Sequence, residues 1–217
     1  MIKFFVFSIM FILSGCSFKS PPNHFQYKTT NAFVSYKKNF LSNNAILAKN
    51  DLKRAIQYAK TSSNLTDLAH IYLGECALNI SVGIKDECEK YITIQNLVDN
   101  PTLNSYYSLI TNQLLDEHIA NLPPKYKEFA LYKLNNQLDL AYNETLNMQN
   151  ISSKLIASSL IKESLNEHQI EEILKISSFY GYKKSVLFWL VHLEHNTHDK
   201  HKRENIRRKI VILKSKN

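Results

Sequence analysis

Apolar residues recur at three- and four-residue steps in almost every segment that follows residue 30. Two such runs are Leu65, Leu68, Ala69, Tyr72, Cys76 and Leu103, Tyr106, Tyr107, Ile110, Leu114. On an α-helix this spacing places the apolar side chains on one face. No segment alternates apolar and polar residues as a half-buried strand does, and four glycines are few for the tight turns of a sandwich or barrel. The sequence therefore predicts an all-α fold.

Start and stop signals divide this helical pattern into segments. Asn100 before Pro101 is typical of an N-cap followed by a proline in the first turn, and Asn166 with Gln169 has the spacing of a capping box. Gly181 is expected to end the helix that precedes it. We expect antiparallel helix pairs at about 31–60, 65–98 and 102–148, and less regular helices at 151–180 and 183–214.

The positive charge of the chain is concentrated at its C-terminus. The formal net charge is +8, and residues 198–217 hold eight Lys and Arg against Asp199 and Glu204, which leaves the body from 17 to 197 close to neutral. A near-neutral body does not match the basic surface of a nucleic-acid-binding domain, so we expect no nucleic acid partner.

The basic C-terminal segment, 198–217, also has the pattern of an amphipathic helix. Its apolar stripe is formed by Ile206, Ile210, Val211 and Leu213. Two interpretations remain open: a final helix that covers the end of the domain, or a cationic helix that contacts anionic lipid headgroups or an acidic partner.

The N-terminus has the organisation of a signal peptide. Lys3 supplies a positive charge, and Phe4–Leu13 form a run of ten residues that is almost entirely apolar. This run is too short to cross a bilayer, and small residues follow it. We therefore expect residues 1–15 to be a signal peptide.

The sequence at residues 13–16, LSGC, resembles the lipobox of bacterial lipoproteins, and Cys16 stands at the position which that family lipidates. The resemblance implies cleavage before Cys16 and attachment to the membrane by acyl chains. Ser17 after the cysteine favours the outer membrane, facing the periplasm. The alternative is an ordinary cleaved signal in which Cys16 is incidental. Residues 16–30, with Pro21 and Pro22, are expected to be the lipidated cysteine and a tether.

Two cysteines remain in the body, Cys76 and Cys88, and an even pair in an oxidising compartment predicts a disulfide. Gly83 lies near the middle of the intervening segment. If this segment is the turn of a helical hairpin, both cysteines are equidistant from it and face each other. The alternative is a pair of buried thiols.

Residues 69–91 resemble a tetratricopeptide or Sel-one-like repeat, with Tyr72-Leu73-Gly74 in its first helix and Gly83 in the turn before its second. Further apolar residues recur at steps of 35 or 36. For 31–197 the resemblance implies a short solenoid whose groove binds a protein partner. We expect Tyr72, Tyr106 and Tyr107 to contact it. The alternative is an irregular helical bundle in which these rings pack between helices.

Four histidines follow one another at three-residue steps: His192, His195, His198 and His201. His195 and Asp199 are four residues apart, a spacing that allows both to bind one metal ion on a helix. The weak metal candidate is therefore His195, His198, Asp199 and His201. The alternative is a solvated helix end.

No catalytic motif of a hydrolase or metalloprotease is present in the sequence, so we expect no enzyme and no cofactor. The leading hypothesis is a lipid-anchored, periplasm-facing adaptor that docks an unidentified envelope protein. Two alternatives remain: a surface-exposed lipoprotein that contacts host or lipid surfaces through its cationic tail, and a periplasmic metal-binding protein that uses the 192–201 histidines.

Overall fold

The computed structural model describes residues 24–215, which form thirteen α-helices and one 3-10 turn and contain no strand. The all-α prediction is confirmed. The helices are α1 (His24–Leu41), α2 (Ala45–Thr61), α3 (Leu65–Ser81), α4 (Glu89–Ile92), α5 (Gln95–Val98), α6 (Pro101–Ile110), α7 (Asp116–Ile119), α8 (Pro124–Leu134), α9 (Leu138–Asn147), α10 (Ile151–Leu160), α11 (Glu167–Phe179), α12 (Lys183–Asn196) and α13 (Lys200–Lys214).

Six helices end in the same backbone closure. The second residue after α1, α2, α3, α6, α8 and α11 has a φ between 53° and 75°, and these residues are Asn43, Ser63, Gly83, Asn112, Asn136 and Gly181. The next N–H donates to the carbonyl five residues back, as Gln137 does to Tyr132 at 2.8 Å. This is the Schellman arrangement, and asparagine tolerates its left-handed position better than most residues with a side chain.

The same closures produce the helix pairs. Linkers of three residues, 42–44, 62–64, 135–137 and 180–182, join α1 to α2, α2 to α3, α8 to α9 and α11 to α12. A linker this short forces consecutive helices to pack side by side.

Asparagine also begins several helices. Asn100 accepts a hydrogen bond from the Leu103 amide at 3.2 Å, and Pro101 is the first helical residue, as the sequence predicts. Asn166 and Gln169 form the predicted capping box, with both hydrogen bonds present. The predicted helix end at Gly181 is also correct.

Helix α3 lies at the centre of the fold. It is apolar around most of its circumference, and it packs against α1, α2, α6 and α10. Its buried residues are Leu68, Ala69, Ile71, Leu73, Cys76, Ala77, Leu78 and Ser81. A helix that is buried on several sides needs neighbours on each of them, and the first and second halves of the chain both supply some.

The Cys76–Cys88 disulfide is present, with a Cα–Cα distance of 5.3 Å. The helical hairpin that we expected to carry both cysteines is not present. α3 ends at Ser81, residues 84–88 are not helical, and Cys88 itself has a left-handed backbone before α4.

The helix pairs that the sequence predicts differ from the structure in two places. The second helix that the repeat resemblance implies is replaced by the single turns α4 and α5. The expected pair at 102–148 contains the four helices α6 to α9.

Helix α1 begins at His24 within the described residues, so residues 24–30, which we expected in the tether, are helical. The signal peptide, the lipobox with Cys16 and residues 17–23 of the tether lie outside the described residues. Among the helices of 24–215, none combines the length and the apolar character needed to span a bilayer.

The basic C-terminal segment forms α13, which packs on α12 through the buried side chains of Ile206 and Ile210. Val211, expected on the same stripe, is 63% exposed. Four cations of α13 have partners: Lys202 contacts Glu167 and Glu171, Arg203 donates to the Thr197 carbonyl, Arg207 contacts Glu194, and Arg208 contacts Glu204. The segment is therefore a docked helix in which three of seven cations are paired with carboxylates.

The left-handed closures give a stability prediction at Asn136, whose side chain is exposed and makes no hydrogen bond within the described residues. Replacing it with alanine, Asn136→Ala, should lower the free energy of unfolding by about 1 kcal/mol, because alanine tolerates positive φ poorly. Asn136→Gly should not lower it, since glycine adopts this backbone readily. Urea unfolding followed by circular dichroism measures both. Equal destabilisation by the two substitutions would contradict the role given to this closure.

Candidate functional site

A cleft of about 340 Å³ opens between α1, α3, α6, α8 and α10, and we call it the Lys37–Lys125 cleft. Its walls are largely apolar, with Phe33, Leu103 and Ile156 among them. Gly74 shapes one wall, because a Cβ at this position would lie 2.3 Å from Cζ of Phe33. The absence of a side chain at Gly74 thus lets α1 bring the Phe33 ring directly onto the backbone of α3.

Two lysines provide the charge of this cleft. Lys37 comes from α1 and Lys125 from α8, and neither forms an ion pair within residues 24–215. Each ammonium lies over an aromatic ring instead, at 5.9 Å from the Phe33 centroid and 5.3 Å from the Tyr126 centroid. Burial lowers the pKa of both lysines, and the charge of Lys37 lowers the pKa of Lys125 further. No carboxylate lines the cleft.

His70 of α3 stands at the exposed rim of the cleft, one helical turn before Gly74. Partial removal of the ring from water lowers the pKa of His70, and the nearby Asp67 carboxylate opposes that shift. A lowered pKa makes the neutral imidazole the dominant form at neutral pH, so the fixed positive charge of the cleft comes from the lysines.

Three helices begin at this cleft. Thr102, Lys125 and Ser152, all lining residues, are the second residues of α6, α8 and α10. Their backbone N–H groups donate to no acceptor within the described part of the chain. The cap side chains of Asn100 and Asn150 accept instead from the next amides along, those of Leu103 and Ser153. The first turn of a helix carries unbonded N–H groups and a partial positive charge.

Tyr106 and Tyr126 form a pair of aromatic rings in the cleft, with centroids 5.2 Å apart. Burial, the neighbouring Tyr126 and a hydrogen bond between the two side chains raise the pKa of Tyr106 well above 10. Burial also raises the pKa of Tyr126, against hydrogen bonds from Ser153 and Tyr106 that lower it. Both phenols are therefore protonated at neutral pH.

The three tyrosines expected to share one partner-binding groove lie in three different places. Tyr106 lines the Lys37–Lys125 cleft, Tyr72 lines a separate depression beside the disulfide, and Tyr107 packs on Tyr91 with centroids 5.5 Å apart. Tyr106 and Tyr107 are consecutive on α6 and therefore point about 100° apart. The three rings therefore do not line one common cleft, and their contact with a partner stays a prediction.

Sequence reasoning missed Lys37, His70 and Lys125, because no local motif links residues that come from three distant helices. The one signal in the sequence was at the helix starts: Asn100-Pro101 and Asn121–Pro124 mark two of the three first turns that meet in the cleft.

The histidine series is divided between two helices. α12 ends at Asn196 and α13 begins at Lys200, so His195 and His201 belong to different helices and His198 lies between them. His192 is held by the Lys162 carbonyl, with Nε2 2.9 Å from that oxygen. Asp199 caps α13, where its carboxylate accepts from the Lys202 amide at 2.8 Å.

These residues do not converge as a metal site. Within residues 24–215, the one group of three possible ligands whose donor atoms lie together is Cys76, Asp86 and Cys88, and both of its sulfurs belong to the disulfide. The expected set of His195, His198, Asp199 and His201 is not brought together.

The fold and the cleft define an all-α protein with a cationic, apolar-walled recess built from five helices. The chain matches no protein-family model, no curated protein and no solved structure. Its function is therefore argued from the cleft and from the N-terminal sequence.

The separation of the histidines gives a prediction about metal retention. His195→Ala combined with His198→Ala should leave the amount of zinc retained by the untagged protein after dialysis unchanged, because these side chains do not share a site. Elemental analysis by mass spectrometry measures the zinc content of variant and wild type. A stoichiometric zinc ion that is lost in the variant would overturn this reading of the structure.

Proposed function

We propose that this protein is a lipid-anchored adaptor of the bacterial cell envelope, which docks a partner through an anionic group that enters the Lys37–Lys125 cleft. The observation that carries the proposal is the unbalanced charge of the cleft. Two ammonium groups without ion-pair partners and three helix N-termini line one recess, and no carboxylate lines it. Lys37 is half-buried and Lys125 is exposed at the rim, so the ammonium groups are only partly removed from water. Partial desolvation of an unpaired charge is unfavourable, and an anionic partner supplies the counterion.

The membrane anchor in this proposal rests on the lipobox resemblance of residues 13–16. A lipid on Cys16, followed by a tether, keeps the helical body close to the bilayer. Cys16 precedes the start of α1 by eight residues, so even a fully extended chain spans at most about 28 Å. Two or more acyl chains hold a protein on a membrane stably. Ser17 supports an outer-membrane location facing the periplasm.

The proposal gives the cleft a binding role and no catalytic one. Ser152 and Ser153 are the nucleophile candidates among its lining residues, and neither is hydrogen-bonded to His70 in the described structure. Ser153 is instead engaged with the capping residue Asn150. Tyrosines and apolar walls around fixed cations are suited to recognition.

A second candidate is contact of α13 with anionic lipid. It is favoured by the exposure of Val211 and Ile212, 63% and 68%, beside Lys209 and Lys214, which have no ion-pair partner within the described residues. The pairing of Lys202, Arg207 and Arg208 with carboxylates makes this surface less cationic than the sequence suggests.

The anchor gives a direct prediction about mass. The protein extracted from membranes should have lost residues 1–15 and gained diacylglycerol and acyl mass on Cys16. Cys16→Ala should abolish both changes, because the thiol is the acceptor. Intact-protein mass spectrometry measures this. A mature protein that begins at another residue, or an unmodified Cys16, would overturn the anchor.

The adaptor role is tested by crosslinking in intact cells, purification of the protein and mass spectrometry of what is bound to it. Lys37→Gln with Lys125→Gln should reduce recovery of a stoichiometric envelope protein about tenfold, since losing two partly desolvated charge contacts of about 0.7 kcal/mol each amounts to about 1.4 kcal/mol. Lys38→Gln with Lys127→Gln is the matched control on the same two helices, outside the cleft. Circular dichroism verifies folding of both. Equal recovery with both variants would refute docking at this cleft.

A further inference from the structure

We infer that the group bound in the Lys37–Lys125 cleft is a phosphomonoester dianion carried on an apolar body. The inference rests on the proposed function only in using the same site, and it names the chemistry that the site recognises.

The amount of positive charge favours a dianion over a monoanion. Lys37 and Lys125 contribute two full charges, and each of the helix starts at α6, α8 and α10 contributes roughly half a charge. A carboxylate neutralises one charge and leaves the remainder uncompensated. A phosphomonoester above its second pKa of about 6 carries close to two.

The hydrogen-bond donors that line the cleft also favour a phosphomonoester over a carboxylate. The unbonded N–H groups of Thr102, Lys125 and Ser152 belong to three different helices, and the two ammonium groups come from α1 and α8. A terminal phosphate offers three strong acceptor oxygens in a tetrahedral arrangement, whereas a carboxylate offers two in a plane. Helix N-termini are established phosphate sites, so a cleft beside the first turns of three helices favours a ligand with more acceptor oxygens.

The walls indicate what the phosphate is attached to. Phe33 and Leu103 line the same recess, together with the Tyr106 and Tyr126 rings, so a fully polar ligand would leave apolar surface without contacts. The volume of about 340 Å³ falls in the range of small-molecule sites. An aromatic or aliphatic group next to the phosphate fits this lining.

The acidic side chains in the depression next to Lys125 do not compete for this charge. Glu128 and Glu144 line a neighbouring depression on the other side of Lys125, and neither forms an ion pair with it. These carboxylates do not line the Lys37–Lys125 cleft, where no acidic residue is present.

The test uses the full-length chain, purified from membranes in a mild detergent, and isothermal titration calorimetry at pH 8. The probes are phenyl phosphate, phenyl sulfate and benzoate, which share one ring and differ in the charge and geometry of the anion. Phenyl phosphate should bind at least tenfold more tightly than either monoanion. Lys37→Gln with Lys125→Gln should lose at least tenfold of that affinity, and the control Lys38→Gln with Lys127→Gln should keep it. Equal affinity for the three probes, or no effect of the cleft lysines, overturns the inference.

The source of the phosphate is distinguished with two further probes that share one phosphomonoester group. Short-chain phosphatidic acid carries the apolar chains of a membrane lipid, and glycerol 3-phosphate lacks them. Tighter binding of the phosphatidic acid than of phenyl phosphate supports a lipid headgroup as the ligand, and tighter binding of phenyl phosphate supports a soluble ester with an apolar group. Glycerol 3-phosphate binding as tightly as either would contradict the apolar body that the inference assigns to the ligand. Absence of binding by both phosphatidic acid and phenyl phosphate overturns the inference.

Failure of this inference is separable from failure of the adaptor proposal. If phenyl phosphate does not bind but recovery of the envelope partner still depends on Lys37 and Lys125, the phosphate inference is wrong and the adaptor stands. If phenyl phosphate binds and no lysine-dependent protein partner is recovered, the phosphate site stands and the adaptor proposal is wrong.

Discussion

Burial of helix α3 is the constraint on which the rest of the fold depends. Because this helix is apolar on most sides, it needs neighbours all around it, and the chain supplies α1 and α2 from before it and α6 and α10 from after it. The same helix carries the cysteine of the disulfide and the glycine on which Phe33 rests. The position of the cleft is therefore a consequence of how the core is covered.

Asparagine occurs at both the N-termini and the C-termini of the helices in this protein. It occupies three of the six left-handed closures, and it caps the first turns of α3, α6, α10 and α11 through its side chain. A chain with four glycines and 22 asparagines can thus make the reversals that a helical array needs.

Local signals in the sequence predicted local structure well. The helical spacing, the helix start at Asn100-Pro101, the capping box at Asn166 and the helix end at Gly181 all act over a few residues, and the structure has each of them. The cleft was not predictable in this way, because its lysines come from helices about ninety residues apart in sequence. The histidine series misled for a related reason: its even spacing assumes one continuous helix, and Asp199 starts a new one.

The construction of the cleft from five helices links its occupancy to the stability of the whole body. Its walls extend in sequence from Phe33 to Ile156, so a ligand held there contacts segments that separate on unfolding. A ligand that binds only the folded state, present at 100 times its dissociation constant, adds about 2.7 kcal/mol to the free energy of unfolding. For a chain of this size each kcal/mol raises the melting temperature by about 2–4 °C. An unoccupied copy opens more often and is cleaved sooner by proteases, so occupancy of the cleft would also set how long each molecule persists.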